Sequence, residues 1–452
     1  MSNGVNPAIF KAYDIRGIVP DELNADLAYD IGRAFADFLP TEGVVAVGRD
    51  MRPDSAELSA ALVKGLREQG RDVWDIGEVT SDMIYFAVGA HQLAGGVVVT
   101  ASHNPGAYNG IKFYRDGVKA VGLDSGLADI RDAVMAGKFK PKATTAGSME
   151  QRNITEAWVK HCLTFIDGPL KPFKIAIDAG NGMAGAILPH IEPHLPLTIT
   201  PLYYKVDGSF PNHEANPQKL ENLEDLIKMV RSHKLDFGVA FDGDGDRAAL
   251  VDDKGRPVSG SDFIALVARH YLGKYPGSEV VHEVRTSRAA RELVVEWGGK
   301  PHRTKAGRVS IGTIMRERGA PFGGETTGHI FFKENYYADS GLIAMLVALV
   351  AISEQDKPLS AIMDEYHRYP MIPERNIKID TDPSLKLEKL AEAYKDFDQD
   401  RLDGLSVEDT DWWFNIRASN TEPVMRLNAE AKTQAQLDEV ANKVIGIIQD
   451  AT

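Results

Sequence analysis

Gly95-Gly96-Val97-Val98-Val99-Thr100-Ala101-Ser102-His103-Asn104-Pro105-Gly106 is the stretch from which the rest of the chain can be read. Its first part is short, continuously apolar and β-branched, the composition of a buried parallel strand. Asn104-Pro105-Gly106 stops that strand and forces a turn. Ser102 and His103 therefore sit on a loop at the carboxyl end of a central strand, where open α/β sheets place their ligands. A second stretch, Asp242-Gly243-Asp244-Gly245-Asp246-Arg247, crowds three carboxylates between two apolar runs and calls for a positive partner.

Working outward from the serine loop, the same alternation repeats. Ile9 to Gly17 reads as strand-like, and Leu27, Ile31, Phe35 and Leu39 mark one face of a helix. Val44 to Val47 is a strand ended by Gly48-Arg49-Asp50, and Asp54 or Ser55 caps a helix carrying Leu58, Leu62 and Leu66. Val73 to Ile76 predicts a strand and Ser81 to His91 a helix. Strands alternating with helices mean a doubly wound, mostly parallel sheet. A polar stretch, Gly137 to Asn153, separates this unit from the next.

The second unit predicts a strand at Lys174 to Asp178 and a helix with Leu220, Leu223, Ile227 and Val230. The strand Phe237 to Phe241 then delivers the aspartate loop. Asp252-Asp253-Lys254-Gly255 is a turn, and Arg256-Pro257 marks the crossing into a third unit. That unit has a strand at Glu279 to Val284, a helix around Leu293, a strand at Ile330 to Phe332 and a buried helix at Leu342 to Ile352. After Tyr369-Pro370 and Ile372-Pro373 the pattern changes to alternating strands, Asn376 to Ile379 and Trp412 to Ile416, closed by a helix with Leu437, Val440, Val444 and Ile448. The expected boundaries are 1–150, 151–255, 256–368 and 369–452, the last an α+β unit.

Composition bounds the partners. A chain of 452 residues is too long for one core, and length alone suggests about three domains. A hydrophobic content of 43% and a charged content of 26% belong to a soluble globular protein. The net charge of -14 argues against nucleic acid as a partner. Cys162 is the only cysteine, so the chain forms no internal disulfide and offers no cysteine-based zinc site. The first residues carry no secretory signal and the longest apolar run is too short to span a bilayer, so a cytoplasmic protein without a membrane partner is expected.

Three aspartates with intervening glycines can bring hard oxygen ligands onto one cation. An EF-hand calcium loop fails on detail, because Arg247 stands where its glycine belongs and Asp253 where its bidentate glutamate belongs. Magnesium shared with a phosphate fits better. Ser102 could carry a phosphoryl group, whose transfer needs charge neutralisation and positioning, and Arg16, Lys112 and Arg247 are candidate cations. Gly323-Gly324-Glu325-Thr326-Thr327-Gly328-His329 suits the hydroxyls of a sugar. Arg417-Ala418-Ser419-Asn420-Thr421-Glu422-Pro423, with Arg426 beyond, suits a phosphate monoester.

Taken in order, these stretches resemble the α-D-phosphohexomutase superfamily, and within it the bacterial phosphomannomutase/phosphoglucomutase branch, over essentially the whole chain. The resemblance implies a heart-shaped, four-domain architecture: three related α/β domains with mixed, mostly parallel sheets and a C-terminal α+β domain, one loop from each meeting in a cleft. It implies that Ser102 carries the phosphate in the resting enzyme and that Mg²⁺ joins this phosphate to Asp242, Asp244 and Asp246. A hexose 1-phosphate (mannose or glucose) and its 6-phosphate would interconvert through a hexose 1,6-bisphosphate, which also serves as activator. Glu325 and Thr327 would hold sugar hydroxyls. Arg417, Ser419, Asn420, Thr421 and Arg426 would hold the non-transferring phosphate, Arg285 and Arg308 would contact substrate, and Tyr13, Arg16, His103, Lys112, Arg247 and His329 would line the reacting end.

Two departures from the family pattern stand out. Thr327 replaces a usual serine, and Arg308 stands where many phosphomannomutase relatives have a histidine. Arginine cannot accept a proton at neutral pH, which leaves Lys112 and His329 as candidates for proton transfer. Phosphoglucosamine mutase is the alternative within the class, and a serine-dependent sugar phosphatase outside it. A monomer or weak homodimer is expected, with the fourth unit hinging onto substrate.

Overall fold

The computed structural model describes residues 5–419 and 423–450. Four sheets follow one another along the chain, drawing on residues 15–151, 174–252, 279–339 and 375–431. In the first, the order is Ile15–Ile18, Tyr108–Arg115, Gly95–Val99, Val45–Arg49, Val73–Glu78 and Met149–Gln151, with Lys119–Ala120 paired to the second of these. The Gly95–Val99 strand is wholly buried, parallel to Val45–Arg49 on one side but antiparallel to Tyr108–Arg115 on the other. The chain thus turns back immediately after the serine loop.

Several local expectations are adjusted. Of the segment Ile9 to Gly17 only Ile15–Ile18 is strand, after a short 3₁₀ turn at Pro7–Ile9. Asp54 stands at the helix N-cap with helical backbone angles and no side-chain capping bond, and the Ser55 hydroxyl, the other candidate cap, donates to Asp50 Oδ1 at 2.6 Å. The polar stretch before the second unit contributes an exposed edge strand, Met149–Gln151, to the first sheet. Leu220 lies in a 3₁₀ turn, 60% exposed, so the apolar face of the next helix, Glu224–His233, begins after it.

The second sheet runs Ala248–Asp252, Phe237–Phe241, Lys174–Asp178, Thr198–Leu202, and the third Lys300–Thr304, Glu279–Glu283, Phe322–Gly324, Ile330–Phe332, Ala338–Asp339. Both combine parallel and antiparallel pairs. The fourth is wholly antiparallel, Arg375–Lys378, Val424–Ala431, Trp412–Ala418, Leu405–Glu408, Asp398–Asp400.

One apolar cluster runs without a break from Ala46 to Tyr366 through the first three units. Its backbone is the helix Gly341–Gln355, capped by Ser340 and buried from Gly341 through Ser353. Each large aliphatic side chain so buried contributes about 1.5–3 kcal/mol. The fourth unit has its own core, Ile372 to Ile448, which includes no residue of the first three. Among the described residues no helix is long and apolar enough to cross a membrane.

Candidate active site

Each sheet supplies one loop at the carboxyl end of a strand: Gly95–Val99 leads to Ser102, Phe237–Phe241 to Asp242, Phe322–Gly324 to Glu325, and Trp412–Ala418 to Ser419. Ser102 is 1% exposed with φ at 50°, and its N–H is held by Thr100 Oγ1 at 2.9 Å. Its hydroxyl donates to Asp242 Oδ2 at 2.7 Å and lies 3.3 Å from His103 Nδ1. A side chain on Gly243 would bring its Cβ to 2.4 Å from the Ser102 carbonyl oxygen, so the two loops meet only because that residue is glycine.

The serine loop is fastened by two arginines. Arg16 donates to the Ala101 carbonyl and, at 2.8 Å, to Asn104 Oδ1, while Asp14 grips its other edge. Arg52, buried and paired to Asp50, donates to the carbonyls of Ser102, Asn104, Pro105 and Tyr108 at 2.6 to 2.9 Å. Arg52 was not among the expected site residues; its only sequence signal is Asp50-Met51-Arg52 directly after a strand.

Asp242, Asp244 and Asp246 are fully buried, and one carboxylate oxygen of each lies within 4.8 Å of the others. Lys112 Nζ donates to Asp244 Oδ2 at 2.5 Å and to Asp246 Oδ2 at 2.6 Å, and Ser81 also bonds Asp244. Burial works against charge on Asp244, but Lys112 outweighs it and holds this carboxyl well below the usual range. Asp242 is pushed well above that range by burial and then by the carboxylates of Asp246 and Asp244. The expectation that Lys112 moves protons meets a lysine buried between two carboxylates, which hold its ammonium protonated against the cost of burial. In this arrangement Lys112 is a counter-ion.

Arg247 lies 3.6 Å from Asp242 through Nε, which also donates to His329 Nε2 at 2.8 Å. His329 Nδ1 faces Asp339 Oδ2 at 2.5 Å and Asp246 Oδ1 at 3.6 Å. The bond from Arg247 leaves the ring proton on Nδ1, toward Asp339, a partner the sequence did not disclose. His103 is kept neutral, first by the Arg247 charge and then by burial.

Glu325 forms the second group. It accepts from the Gly307 N–H through Oε1 and from the Thr327 hydroxyl through Oε2 at 3.1 Å. Tyr13 Oη donates to the Ala306 carbonyl at 2.8 Å, and Arg308 Nη2 donates to the Tyr13 carbonyl at 2.8 Å, so the first and third units clasp each other here. Tyr13 remains 37% exposed; burial, Glu325 and Asp403 push its phenol up to about 12, while Arg417 and Arg285 pull it down.

The third group gathers on a carboxylate absent from the expected set. Glu374 accepts from Arg417 Nη2 at 3.3 Å, with Arg285 at 3.6 Å and Arg426 at 3.8 Å. Arg426 also reaches Ser419 Oγ at 3.4 Å. Asn420 and Thr421 lie outside the described residues.

Do the aspartates suit a cation? Asp244 Oδ1 and Asp246 Oδ1 are buried with no hydrogen-bond partner among the described residues, and all the donor atoms are hard oxygens. This donor set fits a divalent ion of the magnesium type. Two unspent buried carboxylate oxygens are otherwise costly.

Comparison with known proteins agrees with this geometry. Four family models match in succession: phosphoglucomutase/phosphomannomutase alpha/beta/alpha domain I over residues 7–139, domain II over 156–255, domain III over 259–369, and the C-terminal domain over 376–447. The phosphohexose mutases of Xanthomonas campestris pv. campestris (strain B100) are 40% identical over 440 residues, covering 96% of this chain and 98% of theirs. The phosphomannomutase/phosphoglucomutase of Pseudomonas aeruginosa PAO1 is 35% identical over 96% of this chain and 94% of its own. The crystal structure of a phosphoglucomutase/phosphomannomutase family protein from Burkholderia thailandensis superposes with a TM-score of 0.91 at 32% identity, covering 99% of both chains. With all four domains matched in order and loops from the first three converging on one buried cluster, this chain belongs to the phosphoglucomutase/phosphomannomutase family.

Proposed function

We propose that this chain interconverts hexose 1-phosphates and hexose 6-phosphates, mannose and glucose among them, by way of a phosphoserine at Ser102 and a hexose 1,6-bisphosphate. The observation that carries this reading is the Ser102 hydroxyl, 2.7 Å from Asp242 in a buried cluster where Lys112 pairs with Asp244 and Asp246 while one oxygen of each has no hydrogen-bond partner among the described residues. A serine buried among aspartates is a poor general nucleophile but a well-placed phosphoryl carrier, since phosphoryl transfer asks for positioning and neutralised charge.

Asp242, Asp244 and Asp246, with the phosphate on Ser102, would hold Mg²⁺. When bound, it supplies the charge neutralisation that a transferring phosphoryl group requires. Arg16 and Arg52 keep the serine loop rigid by holding its carbonyls. Arg247 stands beside Asp242, where its guanidinium can meet phosphate oxygens. The serine proton points to Asp242 Oδ2 at 2.7 Å, and His103 Nδ1, kept neutral, stands 3.3 Å from the same hydroxyl as a second acceptor. Glu325 and Thr327 offer paired acceptors to vicinal sugar hydroxyls, and Arg417, Ser419 and Arg426 hold the phosphate not being transferred. Arg308 serves as a clasp between units and a substrate contact. A cytoplasmic location, and a hexose bisphosphate as activator, belong to the same reading.

The test is ³¹P NMR of the protein with Mg²⁺ and a trace of glucose 1,6-bisphosphate, offered mannose 1-phosphate, glucose 1-phosphate and glucosamine 1-phosphate in turn. The expected result is 6-phosphates from the first two, abolished by Ser102→Ala. Preference for glucosamine would move the substrate assignment, and release of inorganic phosphate alone would overturn the mutase reading in favour of a phosphatase.

A further inference from the structure

We propose that Glu374 is a resident anion of the phosphate cradle: its carboxylate holds Arg285, Arg417 and Arg426 in place of a substrate phosphate and must give them up when one binds. The inference rests on the reading that these arginines receive the non-transferring phosphate. Glu374 lies in the segment joining the third and fourth units, one residue after Pro373. Arg417 Nη2 and Asn428 Nδ2 donate to its Oε2 at 3.3 and 3.2 Å, Arg285 Nη1 lies 3.6 Å from the same oxygen, and Arg426 Nη1 is 3.8 Å from Oε1. Arg285 comes from the third unit and the other three from the fourth. A single carboxylate thus ties two units together at the point where they join.

The grip is of a kind that can be released. These contacts are long compared with the 2.7–2.9 Å of a tight charge-assisted bond. Glu374 remains 29% exposed, so water can take over its solvation. Arg285 is anchored independently, its Nε 2.9 Å from the fully buried Glu283, which leaves its outer nitrogen to exchange one anion for another. Arg417 Nε is buried with no hydrogen-bond partner among the described residues, so the cradle keeps donor capacity that Glu374 does not use. Burial disfavours the Glu374 charge, yet Arg285, Asn428, Arg417 and Arg426 together hold the carboxyl below its usual range, so it is an anion at neutral pH.

A phosphate monoester entering here brings up to two negative charges next to a third. Like charges at such range repel strongly even at a protein surface. Either the carboxylate swings out or the phosphate binds weakly. The consequence is kinetic as well as thermodynamic. In the proposed reaction the bisphosphate must leave the cradle and return with its other end, and a carboxylate that competes for the arginines speeds each departure.

The experiment is isothermal titration of glucose 6-phosphate and of inorganic phosphate into the full chain carrying Ser102→Ala, with and without Glu374→Gln. The amide keeps an acceptor for Asn428 and removes the charge. The expected result is tightening of about tenfold for glucose 6-phosphate, most of it lost at high salt, and no tightening when Arg417→Ala is also present. In the Ser102-containing enzyme, Glu374→Gln should lower KM and lower kcat together, as release slows. Unchanged or weaker binding would overturn the proposal and leave Glu374 as a plain interdomain tie, and equal tightening in the Arg417→Ala background would do the same. If Glu374→Gln does not fold, Glu374→Ala reads the same binding. The two readings fail separately: loss of mutase activity in the unmutated chain sinks the proposed function, whereas a turning-over enzyme with no tightening sinks only the role of Glu374.

Discussion

Asp82 shows how a single buried side chain sets a pH dependence. It is fully buried, accepting from the hydroxyls of Ser340 at 2.5 Å and of Thr80, with the charges of Asp246 and Asp339 beyond. Burial, opposed by those two hydroxyls, pushes its carboxyl up to about 7 from the ordinary 3.8. The sign is the reverse of the usual carboxylate. Between those pH values the folded chain keeps a proton that the unfolded chain has lost, so stability falls as pH rises through the interval. The full penalty above it is about 4 kcal/mol. Asp82→Asn should therefore raise the thermal midpoint by several degrees at pH 8 and by almost nothing near pH 4, as followed by differential scanning calorimetry. A gain independent of pH would mean that packing, and not ionisation, accounts for it.

At the scale of elements, what the sequence discloses and what it hides divide by chemistry. Ser102 and the three aspartates announce themselves because glycines and prolines punctuate short polar loops after apolar strands. Tyr108–Arg115 is one of the strands the pattern misses, as it also misses Thr198–Leu202, Lys300–Thr304, Leu405–Glu408 and Val424–Ala431. Asn109, Gly110 and Lys112 break its apolar run, yet Asn109 and Lys112 are almost completely buried, since they serve the site rather than the solvent. Arg52, Asp339 and Glu374 were invisible for a related reason: each acts on a loop from another part of the chain, and spacing carries no trace of such a contact. The buried lysine leads to a prediction. Lys112 pairs with two of three crowded carboxylates, so Lys112→Met should destabilise the metal-free protein by about 3–5 kcal/mol, the cost of stranding buried charge. Mg²⁺ should restore much of the lost midpoint in the variant and add less to the unmutated chain. Equal responses to Mg²⁺ in both would show that Lys112 and the cation do not share the aspartates.

For the whole molecule, the division of the core decides what can move. The first three units share one apolar cluster, so separating them would expose buried side chains worth a few kcal/mol each. The fourth unit has its own core and meets the third through polar contacts. Arg288 donates to the carbonyls of Thr410 at 2.9 Å and Trp412 at 3.0 Å, Arg291 donates to Glu408 at 2.8 Å, and Arg303 pairs with Glu408 and with Asp400 at 3.4 Å. Glu374 adds a further tie at the joint itself. Contacts of this kind are screened by salt and re-form in new registers more readily than an apolar interface. The fourth unit should therefore swing as a body while the other three stay fixed. Small-angle scattering should give a smaller radius of gyration with hexose 1,6-bisphosphate than without it. Raising the salt from about 0.05 to 1 M, which shortens the screening length several-fold, should expand the ligand-free form and leave the liganded form compact. Glu408→Gln should mimic high salt, since it removes the carboxylate that Arg291 and Arg303 share. Superimposable profiles across all of these conditions would mean that the ion pairs lock the fourth unit, and that substrate enters an already closed cleft.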